Sequence, residues 1–274
     1  MALIRNILAG CSRLIARAAW AFAFAASVAT APAQAQFTPN FSVNAPYAIL
    51  VDYESGTVLF EKNADEPRPP ASLAKLMTME LVFNEIKSGE LKLDEELVVS
   101  VNAWRKGGAP AGGSTMFAAV HSKIAVVDLI QGAIVQSGND ACIVFAEAIA
   151  GNEDLFARLM NARARELGLD SANFRNSTGL HDPEQEISVR DLAKLTAHLI
   201  RTYPEFYKYY GQTEFTWNKI RQTNRNPLLE MNIGADGLKT GFTKEAGYGL
   251  VGSAVQDGQR LIVVVNGAET AKDR

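Results

Sequence analysis

Cysteine is scarce in this sequence of 274 residues, which contains only Cys11 and Cys142. Cys11 lies in an N-terminal segment that we expect to be removed, so the mature chain would keep a single thiol. One cysteine excludes an internal disulfide framework. Cys142 lies in the apolar stretch 141–150, which predicts a buried small side chain.

Histidine is equally scarce, and His121, His181 and His198 are far apart in the sequence. None of them belongs to an H-x-x-x-H or H-x-x-E-H pattern, the spacings that bring zinc ligands together on one helix. We therefore expect no metal and no other cofactor, and zinc-dependent hydrolysis is disfavoured.

An excess of positive charge is also missing. The chain has 27 basic and 30 acidic residues, and without the first 35 residues the count becomes 24 against 30. A protein that binds nucleic acid needs a basic face. The mildly acidic mature chain therefore excludes nucleic acid as the expected partner.

No apolar run near the N-terminus is long enough to span a membrane. The run from Ala18 to Ala31 has about 14 residues, whereas a spanning helix needs roughly 20. Three arginines precede this run, and Ala33-Gln34-Ala35 follows it as a small-x-small cleavage pattern. These features predict a secretory signal peptide at residues 1–35, cleavage near Ala35, export to the periplasm or cell envelope, and no membrane anchor within this chain.

Strand patterns occur at both ends of the remaining chain. Apolar runs at 47–52 and 57–61 flank a Ser-Gly turn, and runs at 248–255 and 260–266 flank an Asp-Gly turn, with a short segment at 237–240 before them. Two β-hairpins are therefore predicted.

The middle of the chain has helical periodicity instead, with apolar residues three and four apart. Helices are predicted at 72–87, 126–136, 141–150, 154–167 and 189–202. We infer an α/β protein of the α+β type, in which one antiparallel sheet built from both chain ends is flanked by helices and carries an inserted helical lobe.

A first candidate motif is Ser72-x-x-Lys75, which begins an amphipathic helix after Pro69 and Pro70. Positions i and i+3 share a helix face, so the Ser72 hydroxyl and the Lys75 amine are expected within hydrogen-bond reach. A serine nucleophile needs such a base, and burial lowers the pKa of a lysine enough to supply one. The spacing alone arises about once by chance in a chain of this length, and an N-cap serine is the simpler alternative.

Two further motifs follow in the chain. Ser137-Gly138-Asn139 lies between two apolar helices, where Ser137 could relay protons and Asn139 could bind a substrate amide. Lys239-Thr240-Gly241 lies on or beside a predicted strand. Its lysine and hydroxyl could bind a carboxylate, and Gly241 would let a substrate backbone approach closely.

A glycine-rich stretch at 107–113 separates the first two motifs. Its composition is typical of a loop, and the sequence leaves open whether this is a flexible surface loop or the rim of an active site.

The order S-x-x-K, S-x-N and K-T-G resembles the superfamily of penicillin-binding proteins and serine β-lactamases. Whole segments narrow the resemblance to D-alanyl-D-alanine carboxypeptidases of low molecular mass: Pro70–Thr78, Gln136–Ala141, Asn176–Leu180 and Gly237–Thr243. The resemblance covers about 47–273. It implies a two-lobed catalytic domain at 36–274 with the catalytic groove between the lobes.

The resemblance also implies a reaction. Ser72, deprotonated by Lys75, would attack the penultimate D-alanine carbonyl of a peptidoglycan stem peptide ending in D-Ala-D-Ala, and Ser137 would help protonate the leaving amine. Terminal D-alanine would leave, and water would hydrolyse the acyl-enzyme. β-Lactam antibiotics would act as covalent inhibitors of Ser72.

The same resemblance assigns substrate-binding residues. Asn139 would hold the substrate amide, and Lys239 with Thr240 and Gly241 would bind the terminal carboxylate region. The main-chain N–H groups of Ser72 and Phe242 would form the oxyanion hole.

Two other functions share this fold. A class A β-lactamase usually has S-D-N as its second motif, whereas Gly138 stands in the middle here. A non-catalytic sensor that binds penicillin or cell wall would use the same groove, although the intact Ser72, Lys75 and Ser137 argue against it. Because the family commonly continues into a further β-rich domain and a membrane-associated helix, we also expect that this sequence is truncated at its C-terminal end.

Overall fold

A five-stranded antiparallel sheet is built from the two ends of the described chain. The computed structural model describes residues 42–274, so the predicted signal peptide at 1–35 lies outside the described residues. The strand order is β2-β1-β9-β8-β7, where the strands are β1 (Tyr47–Asp52), β2 (Val58–Lys62), β7 (Ala235–Thr243), β8 (Gly247–Gln256) and β9 (Gln259–Ala268). The first and last of these strands pair directly, with Tyr47 opposite Asn266.

The predicted hairpins form where the turn residues allow them. In the first, the Asp52 carboxylate accepts hydrogen bonds from the main chain and side chain of Ser55, and Gly56 has a φ of +71°. In the second, Asp257 and Gly258 both have positive φ, the conformation that a two-residue hairpin turn requires. Both hairpins match the predicted positions to within a few residues, which confirms the predicted fold class.

The helices lie between the two hairpins in sequence. They are α1 (Lys75–Ser88), α2 (Val101–Gly107), α3 (Val126–Val135), α4 (Asn139–Ala150), α5 (Glu153–Glu166), α6 (Val189–Thr202) and α7 (Pro204–Tyr207). Two small hairpins, β3 (Glu96–Val98) with β4 (Lys123–Ala125) and β5 (Glu214–Trp217) with β6 (Ile220–Thr223), complete the regular structure of residues 42–274. In that part of the chain, every helix is too short or too polar to cross a bilayer.

The start of the first predicted helix differs from the expectation. Residues Ala71–Ala74 form a 3-10 turn, and the α-helix begins only at Lys75. Ala71 has a φ of +48°, so the chain cannot continue an α-helix backwards through it. Ser72 therefore lies in the tight turn that leads into α1.

Helix α1 is the centre of the core. All nine residues from Lys75 to Phe83 are buried, and α1 contacts α3, α4, α5 and α6. The first half of α1 is therefore buried on every side and has no face exposed to solvent. The amino end of α1, with Ser72 just before it, is consequently fixed by packing in three dimensions.

A buried carboxylate ties α1 to two neighbouring helices. Glu80 is fully buried, and its Oε1 accepts hydrogen bonds from Arg163 Nε at 2.9 Å and Tyr203 Oη at 3.0 Å and contacts His198 Nε2 at 3.2 Å. Burial raises the pKa of Glu80, but the hydrogen bonds from His198, Arg163 and Tyr203 outweigh burial, so the pKa is lowered overall. The charged form of Glu80 therefore stabilises the folded state.

Replacing Glu80 with alanine should lower the free energy of unfolding at neutral pH by roughly 2 to 3 kcal/mol, because charged hydrogen bonds are lost in a buried site. A carboxyl group whose pKa is lowered by folding stabilises the folded state at pH values above its unfolded pKa. That stabilisation is lost as the pH falls through its folded pKa. The difference between wild type and Glu80→Ala should therefore shrink in acid. Urea unfolding at neutral and acidic pH measures this, with exposed Glu90→Ala as the control. An equal difference at both pH values would contradict the assignment.

Candidate active site

The Ser72 hydroxyl and the Lys75 amine are in direct contact. Their Oγ and Nζ atoms are 3.1 Å apart, which is the i, i+3 proximity that the sequence predicts. Ser72 is half-buried in the turn, whereas Lys75 is 1% exposed. A serine that opens toward the surface is thus paired with an amine that solvent does not reach.

Two acceptors from distant segments hold the Lys75 amine. Lys75 Nζ donates to Asn139 Oδ1 at 2.8 Å and to the main-chain oxygen of Thr178 at 2.5 Å. Burial lowers the pKa of Lys75 to about 8; Cys142 and Asp140 act in the opposite direction, and Arg225 adds to the lowering. A substantial fraction of Lys75 is therefore neutral near physiological pH and able to accept a proton.

The turn between α3 and α4 carries Ser137 and Asn139. Ser137 is buried, has a φ of +63°, and its Oγ has no hydrogen-bond partner among the described residues. The turn is held by the bonds Gly138 N to Gly132 O and Asn139 N to Ser114 O. The structure therefore brings Asn139 onto Lys75, and two residues earlier it leaves the buried Ser137 hydroxyl without a partner among the described residues; both roles remain predictions.

Asp140 anchors a neighbouring loop to this turn. Its carboxylate accepts hydrogen bonds from the Thr115 hydroxyl at 2.6 Å and from the main-chain N–H groups of Met116, Ala118 and Ala141 at 3.0 Å. A buried carboxylate with four donors is fully satisfied. Asp140 thus fixes residues 115–118 against the start of α4.

The glycine-rich stretch also packs against this turn. A Cβ atom at Gly107 would lie 2.4 Å from the main-chain nitrogen of Asp140, and one at Gly113 would lie 3.2 Å from Asn139 Nδ2. The approach at Gly107 requires glycine, and the one at Gly113 is tight. Of the two interpretations left open by the sequence, the structure favours an active-site rim.

Edge strand β7 brings Lys239, Thr240 and Gly241 to the other side of Ser72. A Cβ atom at Gly241 would lie 3.1 Å from Pro70 O and 3.2 Å from the Ser72 nitrogen, so the glycine allows β7 to lie directly on the Ser72 turn. Thr240 is buried, and Phe242 is exposed and stacks on Tyr248 with ring centroids 4.2 Å apart. The K-T-G triplet and Ser72 therefore share one wall of the site.

Lys239 is a buried lysine with other positively charged side chains nearby. It is 4% exposed, and its Nζ donates to Thr240 O at 3.0 Å. Burial lowers its pKa well below the ordinary lysine value, and the charges of Lys75, Arg225 and Arg274 lower it further. A group of cations that repel one another in this way is stabilised by a bound anion.

Arg225 is the site residue that sequence reasoning missed. Its side chain is exposed at the surface, yet partial desolvation of the guanidinium lowers its pKa; its Nη1 donates to Ser114 Oγ at 2.7 Å. Arg225 lies in an irregular segment before β7, where no spacing or motif marks it. Its proximity to Lys239 could not be inferred without the fold.

The segment Asn176–Leu180 was also given no role by the sequence. The main-chain oxygen of Thr178 binds the Lys75 amine, and Gly179, with a φ of +78°, packs so closely on the Ser72 turn that a Cβ atom would lie 1.9 Å from Ala71 O. This segment therefore packs beneath Ser72 and Lys75 and forms the floor of the site.

Metal binding finds no support among residues 42–274, where no group of three or more histidine, cysteine, aspartate or glutamate side chains is arranged to hold an ion. The expectation that no cofactor is needed stays a prediction.

Solved structures resemble this fold closely. Penicillin-binding protein 5 from Haemophilus influenzae superposes with a TM-score of 0.82 at 42% identity, covering 85% of this chain and 68% of that one. Penicillin-binding protein D2 from Listeria monocytogenes in its ampicillin-bound form gives 0.73 at 33% identity, covering 86% and 94%.

Sequence relatives point to the same family. D-alanyl-D-alanine carboxypeptidase DacC of Escherichia coli is 46% identical over 95% of this chain and 65% of its own length. DacF of Bacillus subtilis is 36% identical over 86% of this chain and 61% of its own length. The chain thus spans less than two thirds of these relatives. Residues 30–270 match the family profile described as D-alanyl-D-alanine carboxypeptidase, and the chain therefore belongs to that family.

Proposed function

We propose that this chain is a serine-type D-Ala-D-Ala carboxypeptidase that removes the terminal D-alanine from peptidoglycan stem peptides. The observation that carries the proposal is the contact between Ser72 Oγ and a buried Lys75 amine that two fixed acceptors orient. Family membership supports the substrate class.

Acylation begins when Ser72 Oγ attacks the carbonyl carbon of the penultimate D-alanine. The Lys75 amine takes the hydroxyl proton as the bond forms, and main-chain N–H groups of Ser72 and Phe242 stabilise the oxyanion. The peptide C–N bond then breaks. Ser137, a buried hydroxyl without a partner among the described residues, passes its proton to the leaving nitrogen and takes up the proton held by Lys75, so that free D-alanine departs and Lys75 is neutral again.

The substrate is held at both ends of the scissile bond. Asn139 holds the amide of the penultimate residue, and Lys239 with Thr240 binds the terminal carboxylate beside Gly241. Arg225 adds positive charge to the same place. Because the charges of Lys75, Arg225 and Arg274 add to burial in lowering the pKa of Lys239, a carboxylate that binds beside Lys239 is favoured over a neutral terminus.

Deacylation completes the cycle. Water attacks the ester carbonyl, the bond to Ser72 Oγ breaks, and the shortened stem peptide leaves with a new carboxylate while Ser72 regains its proton. A β-lactam enters the same path, since opening of its ring acylates Ser72. The ampicillin-bound relative from Listeria monocytogenes supports this form of inhibition.

The proposal includes a location and a domain organisation. Residues 1–35 act as a signal peptide, and 36–274 form the catalytic domain in the periplasm or cell envelope. The composition of the N-terminal segment supports export, and peptidoglycan as substrate requires it.

Replacing Ser72 with alanine should abolish covalent labelling by a fluorescent penicillin, because the acylated oxygen is removed. The wild-type protein should also release D-alanine from diacetyl-Lys-D-Ala-D-Ala, and Ser72→Ala should not. Ser88→Ala, an exposed serine at the end of α1, is the matched control and should behave as wild type.

Labelling that persists in Ser72→Ala would refute the nucleophile. Stable labelling of wild type without release of D-alanine would indicate a sensor, and penicillin turnover at tens per second or faster would indicate a β-lactamase.

The acylation rate constant should rise with pH through a midpoint near 8, because Lys75 has a pKa of about 8 and only its neutral amine accepts a proton. Below this pH the ammonium form predominates and acylation slows. Stopped-flow labelling from about pH 6 to about pH 10 measures the profile. Lys87→Gln, at the exposed end of α1, should keep the midpoint, and a flat or falling profile would contradict Lys75 as the base.

Replacing Gly179 with alanine should reduce acylation by about 100-fold or more, because a displacement of the Ser72 turn by about 1 Å is enough for such a loss. The new Cβ atom would otherwise lie 1.9 Å from Ala71 O. Gly151→Ala is the matched control, since Gly151 has a similar φ of +83° with nothing within 4 Å of a Cβ atom. Both variants should lose some stability, and equal labelling rates would show that the close approach is unimportant.

A further inference from the structure

The Asn176 side chain makes four hydrogen bonds within the segment Asn176–Leu180, one of them donated by its Nδ2 to Leu180 O at 2.9 Å. Its Oδ1 accepts from Gly179 N at 2.8 Å, from Thr178 Oγ1 at 3.0 Å and from Thr178 N at 3.2 Å. Asn176 is partly buried and does not contact Ser72 or Lys75 directly in the bonds it makes. Its carboxamide instead fixes the turn that follows it.

One peptide group links Asn176 to the base. The carbonyl of Thr178 and the N–H of Gly179 are the two ends of the same peptide unit, and they point in opposite directions. The N–H end donates to Asn176 Oδ1, and the C=O end accepts from Lys75 Nζ. A hydrogen bond at one end of a peptide both orients it and strengthens the bond at the other end.

This geometry determines where the lone pair of Lys75 points. A neutral amine has two N–H donors and one lone pair, and Asn139 Oδ1 and Thr178 O are two fixed acceptors for those donors. The remaining direction is toward Ser72 Oγ. If the Thr178 carbonyl turned away, an N–H group would be free to face Ser72 in place of the lone pair.

We propose that Asn176 is a positioning residue, which directs the lone pair of Lys75 at Ser72 by holding the peptide between Thr178 and Gly179. The inference rests on the proposed function, since it requires Lys75 to act as the base. It goes beyond that function because it assigns a role to a side chain that touches neither substrate nor nucleophile.

Other contacts brace the segment independently of Asn176 Oδ1. Ser177 O accepts from Thr78 Oγ1 on α1 at 2.6 Å. Gln185 Oε1 accepts from Arg175 N at 3.0 Å, and Gln185 Nε2 donates to Leu180 O at 3.1 Å. These bonds remain when Asn176 is changed. A substitution also removes the bond from Asn176 Nδ2 to Leu180 O at 2.9 Å, but Leu180 O keeps its bond from Gln185. The main loss is therefore expected at the Thr178–Gly179 peptide.

The test uses one substitution that removes the acceptor oxygen of residue 176 and one that keeps it. Asn176→Ala removes the acceptor, so acylation by a fluorescent penicillin should fall about tenfold or more at every pH. Asn176→Asp keeps an acceptor oxygen and places a negative charge on the Gly179 N–H side of the peptide. This charge favours the ammonium form of Lys75 and so raises the pKa of Lys75. The midpoint of its pH–acylation profile should therefore move upward by about half a pH unit or more.

The matched control is Asn173→Ala. Asn173 lies three residues before Asn176, and its side chain donates to Glu184 O at 2.6 Å. This variant should keep the wild-type midpoint even if its melting temperature falls. The other ionisable groups that face Lys75 are Cys142, Asp140, Arg225 and Lys239, and all of them are unchanged in these variants.

The outcomes separate this inference from the proposed function. Wild-type protein that penicillin fails to label refutes the proposed function and this inference with it. Labelled wild type with an unshifted midpoint in Asn176→Asp overturns the inference alone, even if Asn176→Ala is slow, because loosening of the segment would explain a loss of rate. If Asn176→Ala does not fold, the midpoint of Asn176→Asp decides.

Discussion

The buried amine of Lys75 joins three segments that are far apart in sequence. Its acceptor Asn139 is 64 residues away along the chain and its acceptor Thr178 is 103 away, whereas Ser72 is only three. Burial of an ammonium group without partners is costly. The hydrogen bonds offset that cost while the lowered pKa lets the amine lose its proton, so the same burial that requires the network also makes the lysine a base.

Positive charge has two effects in this site. Arg225 lowers the pKa of Lys75, and Lys75, Arg225 and Arg274 together lower the pKa of Lys239. Arg225 therefore adds to the larger effect of burial in favouring the neutral, basic form of Lys75, and the same positive charge attracts an anionic group. The two requirements of the proposed reaction, a free base and a carboxylate site, are met by one charge distribution.

Much of this arrangement could be predicted from the sequence. Hydrophobic periodicity located both hairpins and five helices, and the contact of Ser72 with Lys75 followed from i, i+3 spacing. The 3-10 turn at Ala71–Ala74 could not be predicted, because it depends on packing around that turn. Arg225 and the carbonyl of Thr178 were also missed, since one lies in an irregular segment and the other is a main-chain atom that no side-chain pattern reports.

Main-chain atoms enclose the Ser72 turn on two sides. Gly241 of β7 lies against one side of the turn, and Gly179 lies against the adjoining peptide of Ala71. These close backbone contacts limit how far the turn can move. The backbone of the floor must itself be fixed, however, and a peptide plane can rotate unless both of its polar ends are bonded. Lys75 binds one end of the Thr178–Gly179 peptide and Asn176 the other, so the rigidity of the site depends on a side chain that lies behind it.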